Sequence, residues 1–289
     1  MGSFTFKKWN TILGWFVFSI ALVTYWSTVE PTASFWDAGE YITTASNLEV
    51  GHPPGAPLYQ LMGAFFSIFA MEATNIALTI NLMSVFASAF TILFMFWSVT
   101  ILLSNLVKKN DTFTKNNQIA ILGSAVVASL TFAFTDSFWY SAVEAEVYAM
   151  AAFIMSVLFY AGLRWEGEMF TPRGDKWVVL IAFVIGLSFG VHFMGLLTIP
   201  AIGFLYFFKN YNKVTVKNFL IANVVTVAIL LFIFKLLLPM TLRFFSAAEI
   251  FFVNQINMPF NSGTIIAGLL FLAVFYFGLR YTRSKSFVK

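Results

Sequence analysis

Apolar runs of helix length recur along almost the whole chain, separated by short polar stretches. Taking about 17–25 residues as the length a helix needs to cross hydrocarbon, about eight spans fall near 11–29, 75–104, 118–135, 147–164, 177–191, 194–208, 218–238 and 264–281. The pattern predicts an all-α polytopic membrane protein. With no internal repeat and no low-complexity linker, residues 1–289 are expected to form one transmembrane module. The first run, Ile12 to Trp26, follows Lys7 and Lys8, exceeds a signal-peptide core and lacks a small-x-small site after it, so it reads as a retained span.

The run 57–71 decides the topology. Counted as a span, it would place Lys108 and Lys109 outside and reverse every later loop. Read as an interfacial helix, it leaves Lys7/Lys8, Lys108/Lys109/Lys115, Arg164/Arg173/Lys176, Lys209/Lys213/Lys217 and Arg280/Arg283/Lys285/Lys289 on one side. Only Lys235 and Arg243 of the 17 basic residues escape that side, which the positive-inside rule makes cytoplasmic, together with both termini. Glu30, Asp37, Glu40, Glu49, Glu72, Asp136, Glu144, Glu146 and Glu249 then face outward, with His52 and His192. The outer side is where chemistry is expected.

Composition narrows the class further. The chain is 60% hydrophobic, 10% charged and holds 37 phenylalanines, too apolar for a dissolved domain of its size. Its net charge of +4 follows from the basic cytoplasmic loops and implies no nucleic-acid partner. The absence of cysteine excludes disulfides, zinc–thiolate sites and thiol nucleophiles.

Three polar clusters stand out. Phe35-Trp36-Asp37-Ala38-Gly39-Glu40 is followed by Gly51-His52-Pro53-Pro54-Gly55-Ala56-Pro57. Asp37 and Glu40 are three apart, so on a short helix they share a face. Such a pair either splits its pKa values into an acid and a base, or holds a divalent cation, or simply dresses a helix N-terminus. The Pro- and Gly-rich turn is rigid enough to hold His52 against them, or serves only as a loop-to-helix connection. The second cluster spans Asp136 to Tyr148. Glu144 and Glu146, two apart, would diverge on a regular helix. Trp139, Tyr140 and Tyr148 read as an interfacial aromatic belt or as faces for sugar rings. The third is Gly190-Val191-His192-Phe193-Met194-Gly195, where two short spans meet and a histidine at a helix break needs a polar partner or a wet cavity. Later, Met240 to Ser262 reads as an outer connection containing an interfacial helix. Lys235 and Arg243 either snorkel to the interface or grip a lipid-linked phosphate.

The Trp-Asp-x-Gly-Glu element at 36–40, the His-Pro-Pro-Gly element at 52–55 and the Glu-Ala-Glu-Val-Tyr element at 144–148 resemble, in order, those of a bacterial family of multispanning proteins. That family is similar to protein O-mannosyltransferases and belongs to the GT-C class of membrane glycosyltransferases. The resemblance runs to about Pro200. It implies a GT-C helical bundle with the catalytic acid in the first external loop beside interfacial helices. It also implies transfer of a sugar from a polyprenyl-phosphate carrier to a protein or glycan hydroxyl outside a bacterial cytoplasmic membrane. Asp37 would be the base, supported by Glu40; His52, Glu144, Glu146, Tyr148, His192, Lys235 and Arg243 would bind substrate. One carboxylate base without an enzyme nucleophile implies inversion. A divalent cation is the one cofactor the acids suggest. Family members are usually longer, which makes a fragment or minimal form the expectation here. The rival readings are a transporter or flippase for lipid-linked or amphipathic solutes, using the 177–208 hairpin as a path, and a non-catalytic membrane scaffold.

Overall fold

The computed structural model describes residues 6–110, 113–211 and 213–284; Lys285 and Lys289, counted above toward the basic side, lie outside them. The chain divides into two compact units, residues 1–218 and 219–289. Among the described residues every regular element is helical.

In the first unit, α1 (Phe6–Ser27) runs to an end of the bundle where α2 (Ala38–Asn47) and α3 (Pro57–Ser67) sit. The chain returns through α4 (Ile76–Asn110), comes back through α5 (Lys115–Ala133), and turns through the short α6 (Asp136–Ala142) into α7 (Val147–Glu168). α8 (Gly174–Ser188) and α9 (Thr198–Asn210) form a last hairpin, hinged by the 3-10 turn Phe193–Leu197. α4 is central because it is apolar on all sides. One of its faces joins a core of Val17, Tyr25, Ile92, Phe96 and Leu122 from α1, α4 and α5. Another joins a core of Tyr59, Ile80, Met83, Ile154 and Leu158 from α3, α4 and α7.

Among the described residues, seven helices are long and apolar enough to cross a membrane: Phe6–Ser27, Ala73–Val107, Lys115–Ala133, Val147–Glu168, Phe193–Asn210, Val216–Gln255 and Ser262–Tyr281. The chain is a multi-pass helical membrane protein. The eighth expected span, 177–191, is α8, whose 15 residues reach only about 22 Å at 1.5 Å per residue. α3 has 11 residues, about 16 Å, and is too short to cross, in keeping with its reading as a non-spanning helix.

The second unit departs from expectation. The span expected to end near 238 does not end there: α10 (Val216–Leu231) continues through a π-helical segment, Phe232–Leu237, into α11 (Leu238–Ile250) and a second π segment, Phe251–Gln255. Pro239 lacks an N–H and crowds the preceding turn, and the wider π turn just ahead of it absorbs both defects, so the helix persists. The outer connection expected from Met240 to Ser262 therefore shrinks to 256–261, with Asn257 and Asn261 in the left-handed region that Asn tolerates better than most residues. Glu249 then caps α12 (Ser262–Ser284), accepting the amides of Asn261 at 2.6 Å and Thr264 at 2.8 Å.

Candidate active site

All but two of the candidate residues gather at one end of the first unit. Asp37 stands at the N-cap of α2 and Glu40 lies in its first turn. The preceding Trp36 is left-handed, with φ 61°, and 88% exposed. That strained backbone, costing about 1–3 kcal/mol for a non-glycine residue, follows a segment that is firmly held. Upstream, Asn81 of α4, buried, donates through Nδ2 to the carbonyls of Glu30 at 2.6 Å and Thr32 at 2.9 Å. The Glu30 amide donates to the Val143 carbonyl at 2.9 Å. Ser34 Oγ donates to Glu144 Oε2 at 2.5 Å. The first loop is thus pinned onto the turn between α6 and α7.

The rigid His52 turn does what its composition predicts. His52 Nδ1 lies 3.1 Å from Glu40 Oε2, and the His52 amide donates to Glu40 Oε1 at 2.6 Å. His52 Nε2 faces Asp37 Oδ2 across 4.0 Å. One imidazole therefore sits between two carboxylates. The His52 amide, then its ring, holds the Glu40 carboxyl below its usual range, and Glu40 in turn raises the His52 ring. Tyr41 packs its ring 5.9 Å from His52 and 5.1 Å from Tyr59, forming the floor. Burial, with the Glu146 charge next, pushes the Tyr41 hydroxyl up to about 12, so it stays a neutral donor.

Glu144 and Glu146 do not sit on a helix. They lie in the turn before α7, where Glu146 is the N-cap residue, and both are buried, at 4% and 7% exposure. Their divergence is real but comes from the turn. Glu144 takes Ser34, while Glu146 lies toward Asp37, where the backbone N–H groups of Val147 and Asp37 favour its charged form against burial. Burial, then the Asp37 and Glu144 charges, raises the Glu146 carboxyl to about 7. Burial likewise raises Glu144, against the bonds from Ser34 and Tyr140.

His192 caps the 3-10 turn, accepting the Met194 amide on Nδ1 at 3.2 Å, and its ring lies 5.5 Å from that of Tyr148. Burial lowers its pKa, so it is neutral with its proton on Nε2. The Gly190 carbonyl accepts the amides of Leu58 at 2.7 Å and Tyr59 at 3.0 Å, tying this break to the start of α3. Only glycine fits at 190, since a Cβ there would lie 2.7 Å from Leu58 Cβ.

Lys235 and Arg243 belong to the second unit. Trp139 donates Nε1 to Thr28 Oγ1 at 3.0 Å, a structural bond rather than an open face, whereas Tyr140 and Tyr148 are half exposed. Sequence reasoning missed Ser34, Tyr41, Tyr59, Asn81 and Gln60. Gln60 carried a signal, as the one amide in an apolar run; it is buried with both side-chain polar atoms unpaired. Ser34 carried none, because its partner lies 110 positions away.

Residues 37–215 match the model of the protein O-mannosyl-transferase TMEM260 N-terminal domain, a segment that opens on Asp37 and contains every candidate residue of the first unit. The chain is 23% identical over 209 residues to protein O-mannosyl-transferase tmem260 of Dictyostelium discoideum, covering 68% of this chain and 23% of that protein. It is 26% identical over 172 residues to the mouse TMEM260 protein, covering 60% of this chain and 22% of that one. The matched region thus spans under a quarter of the length of these relatives. No solved structure matches. With more than half of its length under one family model, including the Asp37–His52–Glu40 cluster and the Glu144–Glu146 turn, the chain belongs to the TMEM260 N-terminal domain family.

Proposed function

We propose that this chain is a membrane glycosyltransferase module of GT-C type, moving a sugar, mannose by the names of its relatives, from a polyprenyl-phosphate carrier to a protein hydroxyl. The observation that carries this reading is the acidic cluster itself. Asp37 is half exposed at the rim, braced by buried groups, and lies in the region shared with the O-mannosyl-transferases. We place the acidic end outside the cytoplasm and both termini inside, on the basic residues of the opposite end, and take the membrane to be a bacterial cytoplasmic one on the motif resemblance.

Asp37 accepts the proton of the acceptor hydroxyl as its oxygen attacks the anomeric carbon. The carbon–oxygen bond to the phosphate breaks on the opposite face, the phosphate leaves with the bonding pair, and the product is inverted. Glu40 holds His52, and His52 faces Asp37, so the Asp37 carboxylate is oriented from behind. Glu146 closes the floor under the Asp37 amide. Tyr148 and His192 flank the opening as half-apolar surfaces on which a sugar ring can rest.

The test is turnover by purified protein of a polyprenyl-phosphate [14C]mannose with a Ser/Thr-containing peptide. Label appearing in peptide with inverted linkage is the expected outcome. Label remaining on lipid, with solute counterflow in liposomes, would replace this reading with a transporter.

A further inference from the structure

A cavity of about 420 Å3 lies between the end of α2 and the start of α3. Its wall is apolar at Leu48, Val50, Pro57 and Leu61, with Glu49 its one charge and Gln60 its one amide. The turn that carries His52 forms another part of that wall. One rigid turn therefore borders both the cavity and the Asp37 carboxylate, which the His52 ring faces at 4.0 Å.

Gln60 is the anomaly in this wall. It is 5% exposed, yet neither its Oε1 nor its Nε2 has a hydrogen-bond partner. Folded chains rarely bury a carboxamide in that state. Gly51 lies against the amide with no side chain to cover it; a Cβ there would stand 3.3 Å from Nε2. A ligand that completes this wall must bring a donor and an acceptor together, with an apolar group beside them. One residue of an extended polypeptide does so. Its N–H and C=O point to the same edge, the N–H donating to Oε1 and the C=O accepting from Nε2, while neighbouring side chains alternate between the two faces. A sugar ring rests on aromatic faces, and among the described residues no aromatic side chain lines this cavity. An acyl chain would leave the amide unpaired.

We infer that this cavity is a subsite for the acceptor polypeptide, in which Gln60 pairs with the backbone of a residue flanking the hydroxyl-bearing one. Leu48, Val50 and Leu61 then receive an apolar side chain from the same stretch. Main-chain pairing supplies affinity that tolerates many sequences, and the apolar wall adds preference for one kind of neighbour. The inference rests on the functional reading above, which puts the acceptor hydroxyl at Asp37.

The experiment is binding of a fluorescein-labelled, Thr-containing peptide with leucines beside the Thr to the full chain in detergent, read by anisotropy with no sugar donor present. A series of the same peptide replaces each backbone amide in turn by an ester, which keeps the extended shape and removes the N–H. One ester position should weaken binding to wild type by about 10-fold. Gln60→Met keeps the length of the side chain and removes both polar atoms. It should bind the parent peptide about 10-fold more weakly and lose nothing further at that ester position. Its melt without peptide should be no lower than that of wild type, because the amide has no partner to lose in the free chain. A clearly lower melt would make Gln60 structural and overturn the subsite. So would equal peptide binding by folded Gln60→Met, a wild type indifferent to every ester, or ester losses that persist unchanged in Gln60→Met. Peptide bound through Gln60 but never glycosylated would sink the functional reading alone. Peptide glycosylated by Gln60→Met with wild-type KM and kcat would sink the subsite alone.

Discussion

Ser34 Oγ and Glu144 Oε2 meet at 2.5 Å although 110 positions separate them in the chain. This bond joins the first loop to the α6–α7 turn just upstream of Asp37, and the Glu144 carboxyl it serves is buried. Removing the hydroxyl leaves that carboxylate short of a donor, a loss of about 1.5–3 kcal/mol for a bond to a charged group. Ser34→Ala should therefore raise amide hydrogen exchange across residues 30–37 and slow transfer, while the bundle stays folded. Exchange and turnover both at the wild-type level would mean the loop is held by the Asn81 and Val143 contacts alone.

Asp37→Asn tests the assigned base. The amide preserves shape and still occupies the N-cap of α2, so melting should change little. It cannot take the acceptor's proton, and transfer should fall by ~10²–10⁴-fold. Near-normal turnover by a folded Asp37→Asn protein would remove Asp37 from the chemistry.

The legible parts of this protein were those encoded locally. Runs such as 75–104 and 147–164 announce α4 and α7 because a helix that crosses hydrocarbon must be apolar along its length. The Asp37–Glu40 spacing and the stiff turn around His52 foretold a cluster because each is a matter of a few residues. Three features were illegible for a common reason. Ser34 is defined by a partner on another helix, Gln60 by burial that only tertiary packing reveals, and the persistence of helix past Pro239 by a π segment whose residues look no different from α-helical ones. The 15-residue α8 looked longer because the apolar stretch continues through Phe189 and Val191, into a turn made by Gly190 and His192.

Gly190→Ala probes the joint between the α8–α9 turn and α3. The added methyl would stand 2.7 Å from Leu58 Cβ and 3.2 Å from the Leu58 nitrogen, and the backbone on both sides is fixed by the paired bonds to the Gly190 carbonyl. Overpacking of this kind costs about 1–3 kcal/mol. A lowered melting temperature is expected, with relief in the Gly190→Ala/Leu58→Ala double variant only if the clash involves more than Cβ atoms. A wild-type melt for Gly190→Ala would show that the joint yields freely.

The topology can be read chemically because the chain has no cysteine. Trp36→Cys sits at the acidic end, 88% exposed in the parent residue, and Lys176→Cys at the basic end in the first turn of α8. In sealed cells an impermeant maleimide should label position 36 and spare 176 until the membrane is opened. The reverse pattern would invert the orientation and place the carboxylate cluster in the cytoplasm.

Glu146 gives a pH signature with a definite sign. Its carboxyl sits at about 7 in the folded chain against 4.5 for an ordinary glutamate, raised by burial first and by the Asp37 and Glu144 charges next. The folded state therefore holds the proton more tightly than the unfolded one. The contribution to stability is fully present below pH 4.5 and is lost progressively as pH climbs to about 7, above which the loss is complete. Glu146→Gln keeps a neutral side chain of the same shape at every pH. Relative to wild type it should melt alike near pH 4 and higher at pH 8, by on the order of 2–4 °C for each kcal/mol relieved. Melting curves of the two proteins at pH 4, 6 and 8 make the comparison. A difference that is constant across that range, or one largest at pH 4, would show that Glu146 does not gain a proton between pH 4 and 8, and that burial and the Asp37 charge do not drive it to the neutral form.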